Sequence, residues 1–370
     1  MTTGLLAALS LSLTVAAEIP IPDISGKILT VKGPIKPELL GPTIMHEHLV
    51  IDFRGKSRQR RSATEVSFYR EPVSVRNLSK LRAGGRNSDN SILSDVNLAI
   101  REVLDFKSWG GNGIVDCTSI GLGRDPSALL QVSNATGLHL IMGAGWYVND
   151  FHPPDMDQRT VEDLAKVIIQ DITVGAKGTG IRSGIIGEVG VGGGLKNNEL
   201  KSARAAARAS RATGAAISFH HAGSSRPSDR VEKFTVLDLV ASEGGDLNRV
   251  IIGHANHIAT DIPFVKRLLG RGVYLQFDLF GEVIPRLGRI HDYEVIQSIV
   301  QLVQDGYAER ILLSQDVCTK TMLRTYGGMG FSYVMEFVLP ELRRLGIPDK
   351  TIHKIMVENP RRILTFVKPG

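Results

Sequence analysis

The sequence predicts an α/β fold, a single (β/α)8 TIM barrel, and three observations predict it. Eight short, β-rich apolar runs alternate with eight helix-like segments, the count that closes a parallel barrel. The runs are nearly continuously apolar instead of alternating with polar residues, as strands buried on both faces are. No low-complexity linker or internal repeat divides the 370 residues, a length that α/β barrels use as one unit.

Taken in order, residues 1–25 stand apart as a leader or signal peptide, and 26–370 form the barrel domain. Gly4 to Ala17 has the length of a signal-peptide apolar region, and Val15-Ala16-Ala17 resembles a small-residue cleavage site. Met1-Thr2-Thr3, however, supplies no Lys or Arg. The run is too short to span a bilayer, and no later stretch reaches the required length. The protein is therefore read as cytoplasmic, or as exported if residues 1–17 are a signal. The first strand is Thr43–Val50. After it, Arg54–Asn90, rich in Arg, Ser and Asn, reads as an unstructured insertion over the barrel mouth, leading to a helix at Leu93–Trp109. Six strand-helix pairs follow: Gly113–Thr118 with Ser127–Thr136, His139–Gly145 with Val161–Val174, Gly184–Val189 with Asn198–Thr213, Ala215–His220 with Val236–Ser242, Arg249–His254 with Pro263–Leu269, and Val273–Asp278 with Tyr293–Gln304. Arg310–Ser314 and Ser332–Leu345 close the series.

The polar residues in these runs carry the chemistry. In a strand, residues i and i+2 share a face, so His46 and His48 aim two imidazoles at one point while Glu47 points away. Glu188 ends the fourth run, His220 the fifth and His254 the sixth, and Asp316 follows the eighth. All six lie at carboxyl ends of expected strands, the face on which barrel active sites are built. Singly, such a residue is commonly a hydrogen-bonded loop anchor; six together, all imidazole or carboxylate, make coincidence the poorer account. Four imidazoles and two carboxylates exceed what one tetrahedral zinc needs and suit two divalent ions sharing a carboxylate. Such a pair would hold a hydroxide at neutral pH and polarise the oxygen under attack, which implies hydrolysis.

In that order, His46-x-His48, Glu188, His220, His254 and Asp316 resemble the amidohydrolase superfamily, and more closely the phosphotriesterase family and its phosphotriesterase-related branch. Supporting stretches are Gly41 to Leu49, Gly121 to Asp125, Gly143 to Val148, Gly184 to Gly190, Tyr274 to Gly281 and Tyr326 to Gly330. The resemblance implies that His46, His48 and Asp316 hold the more buried metal, His220 and His254 the more exposed one, and that Glu188 bridges them. The cofactors implied are two divalent ions, Zn2+ first and Mn2+ or Co2+ as alternatives. Many members place a carbamylated lysine at the bridge; a glutamate needs no carbon dioxide, so the site should assemble from metal alone. Asp316 would be the general base and then the acid to the leaving group. His221 and His257 are the neighbours that compete with His220 and His254; register favours the residues that directly end the apolar runs.

The same resemblance bears on substrate. Organophosphate-hydrolysing members carry a histidine after the strand-7 aspartate, in a relay with a strand-6 acid. Here Leu279 follows Asp278, and His257 stands where the acid would lie, so the relay is missing. The expected reaction is hydrolysis of a carboxylic ester, lactone or N-acyl amide. The alternatives are an organophosphate or phosphoester hydrolase, and a non-catalytic small-molecule-binding protein on the same scaffold.

Loop residues supply substrate candidates. Tyr147 offers a hydroxyl to a carbonyl or leaving group, or packs as a barrel-mouth aromatic. Arg226, Arg286 and Arg289 offer guanidinium forks to an anionic substituent. Arg124 and Asp125 read as a pair that pins their loop. Gly192-Gly193-Gly194 lacks the Lys-Ser/Thr of a phosphate loop. Cys117 and Cys318 are too few and too far apart for a zinc ribbon or disulfide framework, and read as free, buried thiols. The net charge of +6 comes without a Lys/Arg block interleaved with aromatics, which argues against nucleic acid. The partners expected are a small-molecule substrate and a second copy of the chain in a homodimer, with no membrane.

Overall fold

The computed structural model describes residues 22–55, 62–221, 227–281 and 290–370. Most of the expected leader therefore lies outside the described residues. Eight parallel strands run side by side in chain order: β1 (Thr43–Glu47), β2 (Gly113–Asp116), β3 (His139–Ala144), β4 (Ile185–Val191), β5 (Ile217–His221), β6 (Val250–Ile252), β7 (Tyr274–Phe277) and β8 (Ile311–Leu313). Six of the expected runs contain one of them; β4 runs two residues past the expected Val189 and β5 one past the expected His220. The ring closes between β8 and β1 just past the regular strand ends. There Asp316 N–H donates to His46 O (3.1 Å) and His48 N–H to Val317 O (3.2 Å).

The strand residues are apolar on both sides because each side meets a different layer. Met45, Val115, Ile141, Ile185, Ala216, Ile251, Tyr274 and Leu312 fill the barrel interior. The alternate residues, such as Ile44, Ile114, Leu140, Ile186, Ile217, Ile252, Leu275 and Leu313, pack outward against the helices. These helices are α1 (Val96–Ser108), α2 (Pro126–Thr136), α3 (Val161–Thr173), α4 (Asn197–Thr213), α5 (Pro227–Ser242), α6 (Ile262–Leu269), α7 (Asp292–Gln304) and α8 (Leu339–Arg344), the last entered through one π turn at Val334–Val338. Their starts are set by short polar side chains that take up otherwise unpaired amides: Asp95, Asp125, Thr160 and Asp261 accept from the first turns of α1, α2, α3 and α6. The amino-terminal hairpin Ile28–Thr30 with Gly33–Ile35, and the carboxyl-terminal segment ending in Asn359–Leu364, plug the opposite end of the barrel with Ile28, Leu40, Ile363 and Leu364. No helix among the described residues is long and apolar enough to cross a membrane.

Three expectations change. The stretch 54–90 carries two helices, Ala63–Arg70 and Leu78–Arg82. The first starts in a capping box in which Ser62 and Glu65 satisfy each other's backbone amides, a local signal hidden in a polar sequence. The insertion is fastened to the loop after β8: Lys320 pairs with Asp89 (2.6 Å), and Asn90 Oδ1 accepts from Thr321 N–H (2.9 Å). Arg124 does not pair with Asp125, which is occupied in capping α2; it crosses to Asp171 of α3 (2.7 Å) and to Gly143 O (2.9 Å). Cys318 is only half-buried, whereas Cys117 is fully buried, and both are free.

The Arg124–Asp171 pair gives a stability prediction. Both side chains are at least 93% buried. Asp171→Ala strands a guanidinium away from water, so denaturant titration should show a loss of about 3–5 kcal/mol. A change under about 1 kcal/mol would mean that solvent reaches Arg124 after the substitution.

Candidate metal centre

The site forms where the top of the barrel departs from regular pairing. β4 bulges inward beyond Ile186, so that Gly187 O lies 1.9 Å from where a Cβ on Gly143 of β3 would sit. Only glycine at 143 allows this approach. The bulge carries the Glu188 amide across to Cys117 O at the end of β2 (3.0 Å) and delivers the Glu188 carboxylate to the barrel axis. Four imidazoles surround that carboxylate. His46 Nε2 is 3.4 Å from Oε2 and His48 Nε2 is 3.4 Å from Oε1. His220 Nδ1 is 2.9 Å and His254 Nε2 4.0 Å from Oε2. Asp316 faces the first pair, with Oδ1 3.2 Å from His48 Nε2 and 3.8 Å from His46 Nε2. The six residues expected from the strand ends thus lie within one small volume.

The competing histidines lie elsewhere. His221 alternates away from His220 on β5, is buried, and finds no partner for its Nε2 among the described residues. His257 is half-buried, one ring (6.3 Å) beyond His254. Tyr147 is buried at the mouth, its hydroxyl 3.2 Å from His220 Nε2. Its ring meets Phe53 and Phe151 edge-on, making an aromatic wall beside His220. Arg226, Arg286 and Arg289 lie outside the described residues. The Gly192–Gly194 amides serve the chain's own carboxylates, Gly192 giving to Glu199 and Gly194 to Glu232.

Each imidazole has one nitrogen aimed at the centre and the other engaged behind it. His46 Nδ1 and His254 Nδ1 contact the two oxygens of Asp278 (2.8 and 3.0 Å), and His48 Nδ1 contacts Thr118 Oγ1 (2.9 Å). For His220 the engaged atom is Nε2, on Tyr147. Such outer contacts fix tautomer and ring plane, which a metal ligand requires. Asp278 was absent from the ligand set read from the sequence, although it closes the seventh apolar run as the other site residues close theirs. Its two oxygens are consumed by the imidazoles and by His254 N–H (2.9 Å), so it orients ligands instead of serving as one.

The electrostatics favour a cation. Burial alone would lower the His46 and His48 pKa values and raise that of Glu188. Instead Cys117, Glu188 and Asp278 around it hold His46 well above its ordinary value, and Asp316 and Glu188 hold His48 at about 9. The imidazoles in turn hold Glu188 well below the usual carboxylate range. The centre therefore draws positive charge onto buried nitrogens. His46 Nε2, wholly buried, has no hydrogen-bond partner among the described residues. A buried polar atom left without a partner costs about 1–3 kcal/mol unless something pairs with it. Three three-residue sets among the described residues have ligand atoms close enough to hold an ion, His46-His48-Glu188, Glu188-His220-His254 and His46-His254-Asp278; the first two share Glu188, and in the third the Asp278 oxygens are already engaged by the imidazoles. The donor set fits a pair of divalent cations.

The comparisons with known proteins agree with this geometry. A profile of the phosphotriesterase family matches residues 26–364. An N-acetyltaurine hydrolase from Dictyostelium discoideum is 34% identical, the match covering 93% of this chain and 99% of that protein. Among solved structures, a resiniferatoxin-binding protein from Rhodobacter sphaeroides superposes with a TM-score of 0.86 at 39% identity, over 92% of this chain and 95% of that one. A lactonase from Listeria monocytogenes gives 0.76 at 25% identity, over 92% and 100%. With a family match over nearly its whole length and a barrel whose mouth gathers four imidazoles around one carboxylate, the chain belongs to the phosphotriesterase family and is a metal-dependent hydrolase.

Proposed function

We propose that the protein hydrolyses the amide bond of a small N-acyl compound bearing an anionic group. Zn2+ is the first choice for its two cations. The observation that carries the catalytic part is the Glu188 carboxylate at the centre of four imidazoles, Oε1 toward His48 and Oε2 toward His46, His220 and His254. The N-acetyltaurine hydrolases, similar over nearly their whole length, support the substrate class. The position after Asp278 argues against phosphotriesters: it is Leu279, whose N–H is held by Asn256 Oδ1 (3.1 Å), and it offers no proton-carrying side chain.

In this reading His46, His48 and Asp316 hold one cation, His220 and His254 the other, and Glu188 both. The cations, when bound, supply Lewis-acid polarisation of the acyl oxygen and acidify water. Asp316 accepts the proton given up as water adds to the acyl carbon and returns it to the departing amine, so that the products leave as carboxylate and ammonium. Tyr147 Oη, accepting from His220 Nε2–H, leaves the His220 Nδ1 lone pair toward the centre. Phe53 and Phe151 shield that side of the mouth from water. Arg226 and Arg286 are our candidates for meeting the anionic substituent.

The test is direct. Protein stripped with a chelator should lose hydrolysis of N-acetyltaurine by at least about 100-fold. Two equivalents of Zn2+ or Mn2+ should restore it in bicarbonate-free buffer, because a glutamate bridge needs no carbon dioxide. Lactones and a paraoxon-type ester run beside it decide the bond class. Turnover of the lactone alone would overturn the amide reading, and turnover that survives stripping would overturn the metal requirement.

A further inference from the structure

Glu47 sits between the two site histidines of β1 and points away from the site. Its carboxylate is wholly buried and takes three donors from one short segment after β8. Oε1 accepts from Ser314 Oγ (2.7 Å) and Gln315 N–H (2.9 Å), and Oε2 accepts from Val317 N–H (2.9 Å). These donors bracket Asp316 on both sides. Asp316 has φ +55°, in the left-handed region that a non-glycine residue rarely occupies unless its surroundings impose it. Here the surroundings do: with its neighbours' amides drawn onto Glu47, the chain at 316 must turn its side chain back toward His48. Ser314 Oγ, while donating to Glu47, also accepts from His46 N–H (2.8 Å), so one hydroxyl ties the metal-facing strand to the turn.

We propose that Glu47 is the positioning residue for Asp316, imposing the left-handed turn that sets the Asp316 carboxylate against His48 and His46. The proposal rests on the reading above, in which Asp316 holds one cation and moves the proton. A carboxylate is suited to the task because it is acceptor-only and can face three donors at once. Glutamine keeps the shape but presents an NH2 to one of those donors. The competing account is that Glu47 merely seals the barrel between β8 and β1.

The experiment measures zinc affinity by chelator competition together with kcat and KM on N-acetyltaurine, for wild type, Glu47→Gln and Ser314→Ala. Wild type should bind two equivalents. In Glu47→Gln one equivalent should weaken by about 10–100-fold while the other is unchanged, and kcat should fall by a similar factor with KM within threefold. Ser314→Ala should shift the same equivalent in the same direction by less, and it decides the question alone if Glu47→Gln does not fold. Two wild-type affinities with kcat within threefold overturn the proposal, as do two equivalents weakened equally, the mark of a seal. A wild type that binds no zinc would instead remove the metal reading on which this one stands.

Discussion

Glu188→Gln should lower kcat/KM on the order of 10³-fold or more while the protein stays folded. The change is nearly isosteric, so the bulge of β4 and the amide bond to Cys117 O remain. What disappears is the anion at the centre. A carboxylate presents two acceptor oxygens, here Oε1 toward His48 and Oε2 toward His46, His220 and His254; an amide presents one oxygen and one NH2, and the NH2 cannot ligate a cation. His46, His48 and His220 lose one of their counter-charges as well. His46 and His48, held high partly by Glu188, should move back toward their ordinary range. Elemental analysis after gel filtration should find fewer than two metal equivalents per chain, and steady-state kinetics should find the activity loss. Retention of both equivalents with activity within tenfold would show that another group joins the two halves.

The second large effect is at Asp278, which touches no expected substrate atom. It receives His46 Nδ1–H, His254 Nδ1–H and His254 N–H on two oxygens. Asparagine can accept on one side only. Its NH2 would face one imidazole nitrogen and force that ring into the other tautomer, placing the proton on the nitrogen meant for the metal. We expect Asp278→Asn to weaken metal binding and lower activity by about 10–100-fold, measured by zinc competition and kcat. The same contacts set a pH dependence. Burial alone would raise the Asp278 carboxyl, but the charges and hydrogen bonds of His254 and His46 hold it well below the usual range. A group whose pKa is depressed by folding stabilises the fold above its unfolded value, about 4, and loses that contribution as pH falls. Metal-free wild type should therefore lose stability below about pH 4 more steeply than Asp278→Asn, as read by thermal melts across pH. Parallel curves would mean that the carboxylate is not ion-paired in solution.

How much of this was legible beforehand follows from the range of each interaction. The eight strands could be read because continuous burial on both faces leaves a continuous apolar run. The helix at Ala63–Arg70 could not, because its signal is a four-residue capping box inside a charged, Ser-rich stretch with little apolar periodicity. The strand-end rule brought forward His46, His48, Glu188, His220, His254 and Asp316 because barrel chemistry gathers at one rim. It missed Asp278, Thr118 and Glu47, since a residue that orients a ligand differs from any other buried polar group only in what stands opposite it. Arg124 shows the same limit: Asp125 is adjacent in sequence, yet Asp171, 47 positions on, is its partner.

The order of apolar runs and the identity of their terminal residues, both local properties of the chain, determined by themselves the barrel class and the list of ligand-type side chains. Only the folded chain decided which nitrogen of each imidazole faces inward and that the Asp278 carboxylate stands behind them. The reason is that ring orientation depends on hydrogen bonds between residues 24 to 232 positions apart, and no spacing in a linear sequence encodes them.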